Sequence, residues 1–189
     1  HIVPIPKPGK PLDQSTSYCP ISLLSPAVKV LERLLLPLTS PHLPSSSTQH
    51  GYKPMHSTIT ALLPIVTNVA IGFNEKKPAS RTAMVLLDIS KAFDSIDHDL
   101  LLQKISDTTL NSNITRWMAA YLQGRTAVCL FQGATSPQFT CHSGVPQGSV
   151  LSPMLFNFFV RDCPDVAQIN LKYADDFNLI ESSPDVPSL

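Results

Sequence analysis

The sequence predicts an α+β fold in which an antiparallel sheet carries helices on one face, and three observations lead there. Residues 83–87, Ala-Met-Val-Leu-Leu, form a continuous apolar run closed by Asp88. Residues 169–180 place two apolar arms around Tyr173-Ala174-Asp175-Asp176, the pattern of a hairpin with an acidic tip. Between them lie three stretches whose apolar residues recur at helical spacing.

The elements follow in order. Ile2-Val3-Pro4-Ile5-Pro6 suits an edge strand because Pro cannot donate to a ladder, and Lys7-Pro8-Gly9-Lys10 suits a turn with two ammonium groups, solvated or ligand-facing. Ser25-Pro26 is an N-cap followed by Pro at the first helical position, and it opens a helix with Val28, Leu31, Leu34 and Leu35 on one face; Pro37 is expected to stop it. A Ser/Pro-rich loop follows over 39–47. Ser57 caps a second helix through Ile59, Leu62, Leu63, Val66 and Val69, with a kink or early end expected at Pro64.

A charged turn over 75–81 leads to the apolar run at 83–87, which predicts a central strand covered on both faces. Asp97 caps a helix with Leu100, Leu101 and Ile105, and a further helix over 112–122 turns Ile114, Trp117, Met118 and Tyr121 to the core. Residues 125–131 and 138–141 predict a hairpin with its turn at Gly133. The glycine-flanked loop 143–149 precedes a helix over 151–161, whose Leu155, Phe156, Phe159 and Val160 are expected on the sheet.

Composition narrows the classes. The chain has 189 residues, 43% of them hydrophobic, which is enough for a core and rules out a disordered segment. Formal net charge is zero, against the basic excess of a free-standing nucleic-acid binder. Charge is nonetheless uneven. Residues 1–60 hold Lys7, Lys10, Lys29, Arg33 and Lys53 against Asp13 and Glu32, whereas 161–189 hold Arg161 and Lys172 against Asp162, Asp165, Asp175, Asp176, Glu181 and Asp185. A basic half and an acidic end suit a phosphate substrate; scatter in a short chain is the plainer reading.

Cys19, Cys129, Cys141 and Cys163 form no C-x-x-C pair, so reduced thiols inside a cell are expected and zinc is not. No apolar run approaches the roughly 20 residues of a membrane span. The chain opens at His1 within an apolar run and without Met, which predicts a piece of a longer protein.

The acidic residues carry the chemistry. Adjacent carboxylates at a hairpin tip call for a cation, and convergent Asp oxygens suit Mg²⁺, two ions of which can stabilise the attacking and leaving oxygens of phosphoryl transfer. Asp88, at a strand end, could join Asp175 if the two strands are neighbours. His98, within Asp97-His98-Asp99, reads as a helix-start residue rather than a general base, and no Ser/His/Asp triad or Walker loop competes.

Five segments together resemble the reverse transcriptases, in the order found there: Ile5-Pro6-Lys7-Pro8-Gly9-Lys10, Tyr18-Cys19-Pro20-Ile21-Ser22-Leu23, Leu87-Asp88-Ile89-Ser90-Lys91-Ala92-Phe93-Asp94, Gly144-Val145-Pro146-Gln147-Gly148-Ser149-Val150-Leu151-Ser152-Pro153 and Tyr173-Ala174-Asp175-Asp176. The wording of the third and fourth is similar to that of non-LTR (LINE-type) retrotransposons. The resemblance implies a right-hand polymerase, fingers over 1–80 and palm over 81–189, acting as an RNA-directed DNA polymerase on an RNA template, a DNA primer and dNTPs.

By motif, Asp88, Asp175 and Asp176 would be catalytic and hold two Mg²⁺ ions, with Mn²⁺ as a substitute, and the Ile89 carbonyl would ligand the nucleotide-bound ion. Phe93 matches the aromatic gate that excludes a 2′-hydroxyl, Gln147 and Gly148 the loop that closes on nucleotide and template, and Lys7 and Lys10 would face the triphosphate or template. Tyr173 and Ala174 complete the tip motif. The resemblance further implies an intracellular setting, nucleus and cytoplasm, no membrane, and partner regions of a parent polyprotein: an endonuclease and a thumb, the latter expected to be missing because the chain stops thirteen residues after Asp176. An inactive remnant and an intron-maturase-like RNA-binding protein are the alternatives.

Three positions depart from the family pattern. Cys19 stands where Arg is usual, His56 replaces another Arg, and Met55 a Gly. A thiol cannot form the bidentate phosphate contact of a guanidinium. Both Arg replacements are single-base changes, so a mutating element with an intact metal site and a weakened substrate grip is expected.

Overall fold

The computed structural model describes residues 1–74 and 80–183. In chain order the elements are β1 (Ile2–Pro6), β2 (Tyr18–Ser22), α1 (Pro26–Thr39), α2 (Thr58–Asn74), β3 (Arg81–Asp88), α3 (His98–Ser106), α4 (Ser112–Leu122), β4 (Thr126–Ala127), β5 (Leu130–Phe131), β6 (Ala134–Thr135), β7 (Phe139–Thr140), α5 (Ser152–Phe159), β8 (Ile169–Tyr173) and β9 (Asp176–Ser183). Helix and antiparallel sheet are mixed as expected. Contacts gather the chain into two compact units, His1–Pro44 with Lys91–Phe159 and Ser45–Ser90 with Val160–Leu189. Each unit draws on both sides of the 80/81 division.

In the first unit, β1 and β2 pair antiparallel with Pro4 opposite Pro20, a ribbon that tolerates proline because it needs no continuous ladder. Ser25 caps α1 by accepting the Val28 N–H at 3.3 Å. Contrary to expectation, α1 runs through Pro37 to Thr39. Proline there deletes only the bond to the Arg33 carbonyl, one turn from the end, and the Thr39 hydroxyl donates to the Leu35 and Leu36 carbonyls at 3.0 and 3.1 Å.

The helix buries only part of the expected face: Val28 and Leu35 are half-buried, and Leu36 joins them. Leu31 and Leu34 are exposed, and the buried stripe is centred on Glu32 and Thr39, each 0% accessible.

Asp97 caps α3 through the Leu100 N–H at 2.8 Å, and Asn111 caps α4 through the Asn113 N–H at 2.9 Å. Leu101, Ile105, Met118, Leu122, Leu155 and Phe158 are fully enclosed and form the core of this unit. The hairpin expected over 125–141 is present but broken into two short ladders, β4 with β7 and β5 with β6. Its tight turn is Gln132-Gly133, both left-handed, so the second arm starts at Ala134 rather than 138. Ser136 and Pro137 interrupt it: the Ser136 hydroxyl takes the Cys129 N–H at 2.9 Å, and Pro137 has no donor to give.

The second unit holds the sheet, ordered β3-β9-β8 and antiparallel throughout, with α2 packed against all three strands. Ser57 and Thr60 exchange side-chain and backbone hydrogen bonds at the start of α2. The helix does not end early at Pro64, because proline and the Thr60 carbonyl it leaves unbonded both lie on the solvent side. The charged turn expected over 75–81 lies, for 75–79, outside the described residues.

β3 is not the expected central strand. Among the described residues it is the sheet edge, with Met84, Val85, Leu86 and Leu87 between 44% and 67% exposed. A continuous apolar run reports what a strand's surroundings should be, not that this segment of chain supplies them. The hairpin β8–β9 is as expected: Leu171, Phe177 and Ile180 are buried along its arms. Lys172, 2% accessible, is held by Asp165 at 3.2 Å and by the Cys163 carbonyl at 2.8 Å.

Among the described residues no helix is long and apolar enough to cross a membrane. All four cysteines are free.

Candidate active site

The site residues expected from sequence fall into two groups, one in each unit. In the second unit the ladder places Asp88 directly opposite Asp176, and Asp176 directly opposite Tyr173, so the three make one row across the sheet. Paired residues project from the same face with Cα atoms about 4.5–5.5 Å apart, and like charges so placed repel. Asp88 and Asp176 are both exposed. They line one end of a 390 Å³ cavity under α2, with Tyr173, Asn178, Thr58 and apolar side chains of α2 and β3.

Ala174 and Asp175 form the two-residue turn, Ala174 with φ 56°, a left-handed conformation that costs an L-residue roughly 1–2 kcal/mol. The Asp175 carbonyl accepts the Ile89 N–H at 3.3 Å, which ties the end of β3 to the turn. Three carboxylates and the Ile89 carbonyl are a purely oxygen donor set, the chemistry that suits Mg²⁺ or Mn²⁺ and not zinc. Row and turn place those donors at one corner of the sheet, so the residues fit a divalent ion. Among the described residues, no three His, Cys, Asp or Glu side chains are already clustered as a ligand set.

Sequence reading missed what underlies this corner. Lys172 of β8 exchanges backbone bonds with Thr48 and His50, at 2.9 and 2.7 Å, so residues 48–50 run beside the hairpin. Gly51 follows, and a Cβ there would lie 2.2 Å from the Ala174 nitrogen. Tyr52 is close enough to Asp175 that burial first, and then that carboxylate and Tyr173, push its phenol up. The His50 ring packs edge-on against His56 at 5.0 Å, and burial with His56 and Lys53 nearby drives His50 toward the neutral form.

In the first unit Phe93, Asp94, Gln147 and Gly148 come together. The Phe93 ring stacks on Phe156 at 5.0 Å, and the Phe93 carbonyl accepts the Val145 N–H at 2.7 Å. Gly144, at φ 83°, presses on Asp94 so closely that a Cβ would sit 2.7 Å from its Cα; only glycine fits. Gln147 donates to both Asp94 oxygens at 3.1 and 3.2 Å. Burial pushes the Asp94 carboxyl up, opposed by the Gln147 bond and by the charges of Lys91 and Lys7. Lys7 therefore stands within electrostatic reach of this cluster.

The Lys7–Lys10 turn closes through a 3.3 Å bond, and both side chains are exposed. Gly148, at φ 106°, lets the loop approach Ser22, whose N–H reaches the Gln147 carbonyl at 2.7 Å.

The 143–149 loop is fixed at both ends. Buried His98 bonds the Gly144 carbonyl through Nε2 at 2.7 Å, so it is structural as expected, though its partner is the loop and not its own helix. At the other end the Glu32 carboxylate accepts from the Ser149 hydroxyl at 2.9 Å, the Val150 N–H at 2.7 Å and the Tyr121 hydroxyl at 2.6 Å. Asp94 lay in plain view within its motif. Residues 48–51 and Glu32 gave no local signal.

The family profile described as "Reverse transcriptase (RNA-dependent DNA polymerase)" matches residues 5–186. The chain is 34% identical over 164 residues to the probable RNA-directed DNA polymerase from transposon X-element of Drosophila melanogaster, covering 85% of this chain and 18% of the relative. It is 35% identical over 196 residues to the RNA-directed DNA polymerase from mobile element jockey of Drosophila funebris, covering 96% and 21%. The chain thus spans about a fifth of the length of these relatives.

Among solved structures, telomerase from Candida tropicalis in complex with a fragment of telomeric RNA superposes with a TM-score of 0.57 at 15% identity, over 86% of this chain and 30% of that one; the likeness is one of fold. With the motif row, the glycine-tight loop and a matched profile over nearly its whole length, the chain belongs to the reverse transcriptase (RNA-dependent DNA polymerase) family.

Proposed function

We propose that the chain is the fingers and palm of an RNA-directed DNA polymerase from a non-LTR retrotransposon, adding deoxynucleotides to a DNA primer on an RNA template inside the cell, in nucleus and cytoplasm. The placement of Asp88 opposite Asp176 carries this reading. Two carboxylates facing each other, with Asp175 next in the turn, are unfavourable by themselves and become favourable once a cation lies between them.

Asp88, Asp175, Asp176 and the Ile89 carbonyl would hold the ions. Two bound Mg²⁺ ions supply charge neutralisation at the attacking 3′-hydroxyl and the leaving pyrophosphate. The protein's own part is placement. Phe93, braced by Phe156, sets a wall against a 2′-hydroxyl. Gln147 and Gly148, held by Asp94 and Ser22, present backbone to nucleotide and template, and Lys7 and Lys10 offer charge to phosphate. The endonuclease and thumb of a parent polyprotein would supply target cleavage and primer holding.

The test is primer extension on poly(rA)/oligo(dT) with Mg²⁺ or Mn²⁺, using the full-length protein. Asp88→Asn and Asp175→Asn are each expected to reduce incorporation by about 10²–10³-fold, as loss of a group stabilising transition-state charge does. Incorporation that survives both changes rules out the metal assignment. Cys19, half-buried on β2 opposite Ile5, stands where the family places Arg. Cys19→Arg is expected to lower KM for dNTP about tenfold, the worth of one charge-assisted hydrogen bond; an unchanged KM would show that the thiol does not weaken the grip.

A further inference from the structure

Gln49 is 0% accessible, yet it is a polar side chain from a Ser/Thr/Pro-rich connection. Its amide is spent on the turn that carries Asp175. Oε1 accepts the N–H of Ala174 at 3.0 Å and that of Gly51 at 2.8 Å, while Nε2 donates to the Ala174 carbonyl at 3.1 Å. Two amide donors on one atom and a carbonyl on the other leave a single sensible orientation of the side-chain amide.

Gln49 is itself anchored by the backbone bonds of Thr48 and His50 to Lys172, two residues before the turn residue it grips. Ala174 sits in the left-handed region, and both of its peptide groups are fixed by this one side chain. The second of those groups contains the nitrogen of Asp175. Holding Ala174 therefore fixes where the Asp175 and Asp176 Cα atoms stand relative to Asp88 across the ladder.

We propose that Gln49 is a positioning residue for the metal-bearing turn: its amide locks Ala174 so that Asp175 and Asp176 are presented to the ions without the cost of ordering the turn at each binding event. The proposal rests on the reading of these aspartates as metal ligands. A partner that orients a ligand is typically worth 10–100-fold in metal affinity or activity.

Gln49→Glu keeps size and the Oε1 acceptor of both N–H bonds and, as a carboxylate, loses only the donor to the Ala174 carbonyl, so it is the milder variant. Gln49→Leu keeps volume and loses all three bonds. Three quantities separate positioning from general stability: Mn²⁺ affinity of the full-length protein by electron paramagnetic resonance, kcat against KM for dNTP in primer extension, and hydrogen exchange of the Ala174 amide.

Gln49→Glu is expected to weaken Mn²⁺ binding and lower kcat about tenfold, and Gln49→Leu up to about 100-fold with loss of Ala174 amide protection; KM for dNTP stays within about twofold in both. Unchanged Mn²⁺ affinity and kcat in Gln49→Glu overturn the proposal, and so does a loss that falls on KM while Mn²⁺ affinity is kept. If Asp175→Asn retains incorporation, it is the metal reading that fails. If Asp175→Asn is inactive while Gln49→Glu binds Mn²⁺ normally, only the role given to Gln49 fails.

Discussion

Gly51→Ala is expected to destabilise the protein by about 4–5 kcal/mol, the range reserved for changes a fold cannot absorb. The added methyl would lie 2.2 Å from the Ala174 nitrogen and 2.9 Å from its Cα. Both are backbone atoms, held in place by Gln49 and by the β8–β9 ladder, so no rotamer change relieves the overlap. Either 48–51 lifts off the hairpin, losing the bonds to Lys172, or the turn shifts and carries Asp175 with it. Small domains have only about 5–15 kcal/mol in hand, so the loss should appear as a large fall in the urea midpoint. A cost below about 1 kcal/mol would mean that this close approach is not a feature of the folded protein.

Glu32→Ala should cost about 3–5 kcal/mol, for a different reason. The carboxylate is fully buried and takes hydrogen bonds from Tyr121, Ser149 and the Val150 N–H, so truncation orphans three donors and opens a void. Burial, and then the bond to Glu32, push the Tyr121 phenol far above its ordinary range, so that its proton stays available to the carboxylate. Ser149 also accepts from the N–H groups of Leu151 and Ser152, at 3.1 and 3.3 Å, and so caps α5. Loss of Glu32 should therefore loosen residues 145–152 before it unfolds the rest. Glu32→Gln, which keeps the shape and part of the accepting capacity, should cost about 1–2 kcal/mol. Thermal melts with hydrogen exchange over 145–152 check both; equal costs for the two variants would remove the carboxylate from the explanation.

What could be read from the sequence was what depends on neighbours along the chain. Caps at Ser25, Ser57 and Asp97, the helices they start and the hairpin around Ala174-Asp175 all follow from local pattern; that Asp88 pairs with Asp176, 88 residues on, does not, and the motif order alone suggested it. The stop at Pro37 and the early end offered for Pro64 did not occur, because proline's cost depends on whether the carbonyl it abandons reaches water or another donor. The face of α1 was misread for a longer-range reason. Leu31 and Leu34 mark the expected side, but the helix turns Leu35 and Leu36 inward beside a buried carboxylate with three donors, and those donors come from residues 89, 117 and 118 positions away. Gln49 and Gly51 were invisible for the same reason: their partner lies 125 and 123 residues downstream.

The edge position of β3 has a consequence for handling this chain alone. Eight residues, Arg81–Asp88, are paired on one side only among the described residues, and four consecutive side chains are large and apolar. Natural edges are blunted by charge, proline or a bulge, but between Arg81 and Asp88 this one has none. An open, hydrophobic edge is a template for another strand, so concentrated solutions should be limited by chain-to-chain aggregation well before they are limited by unfolding.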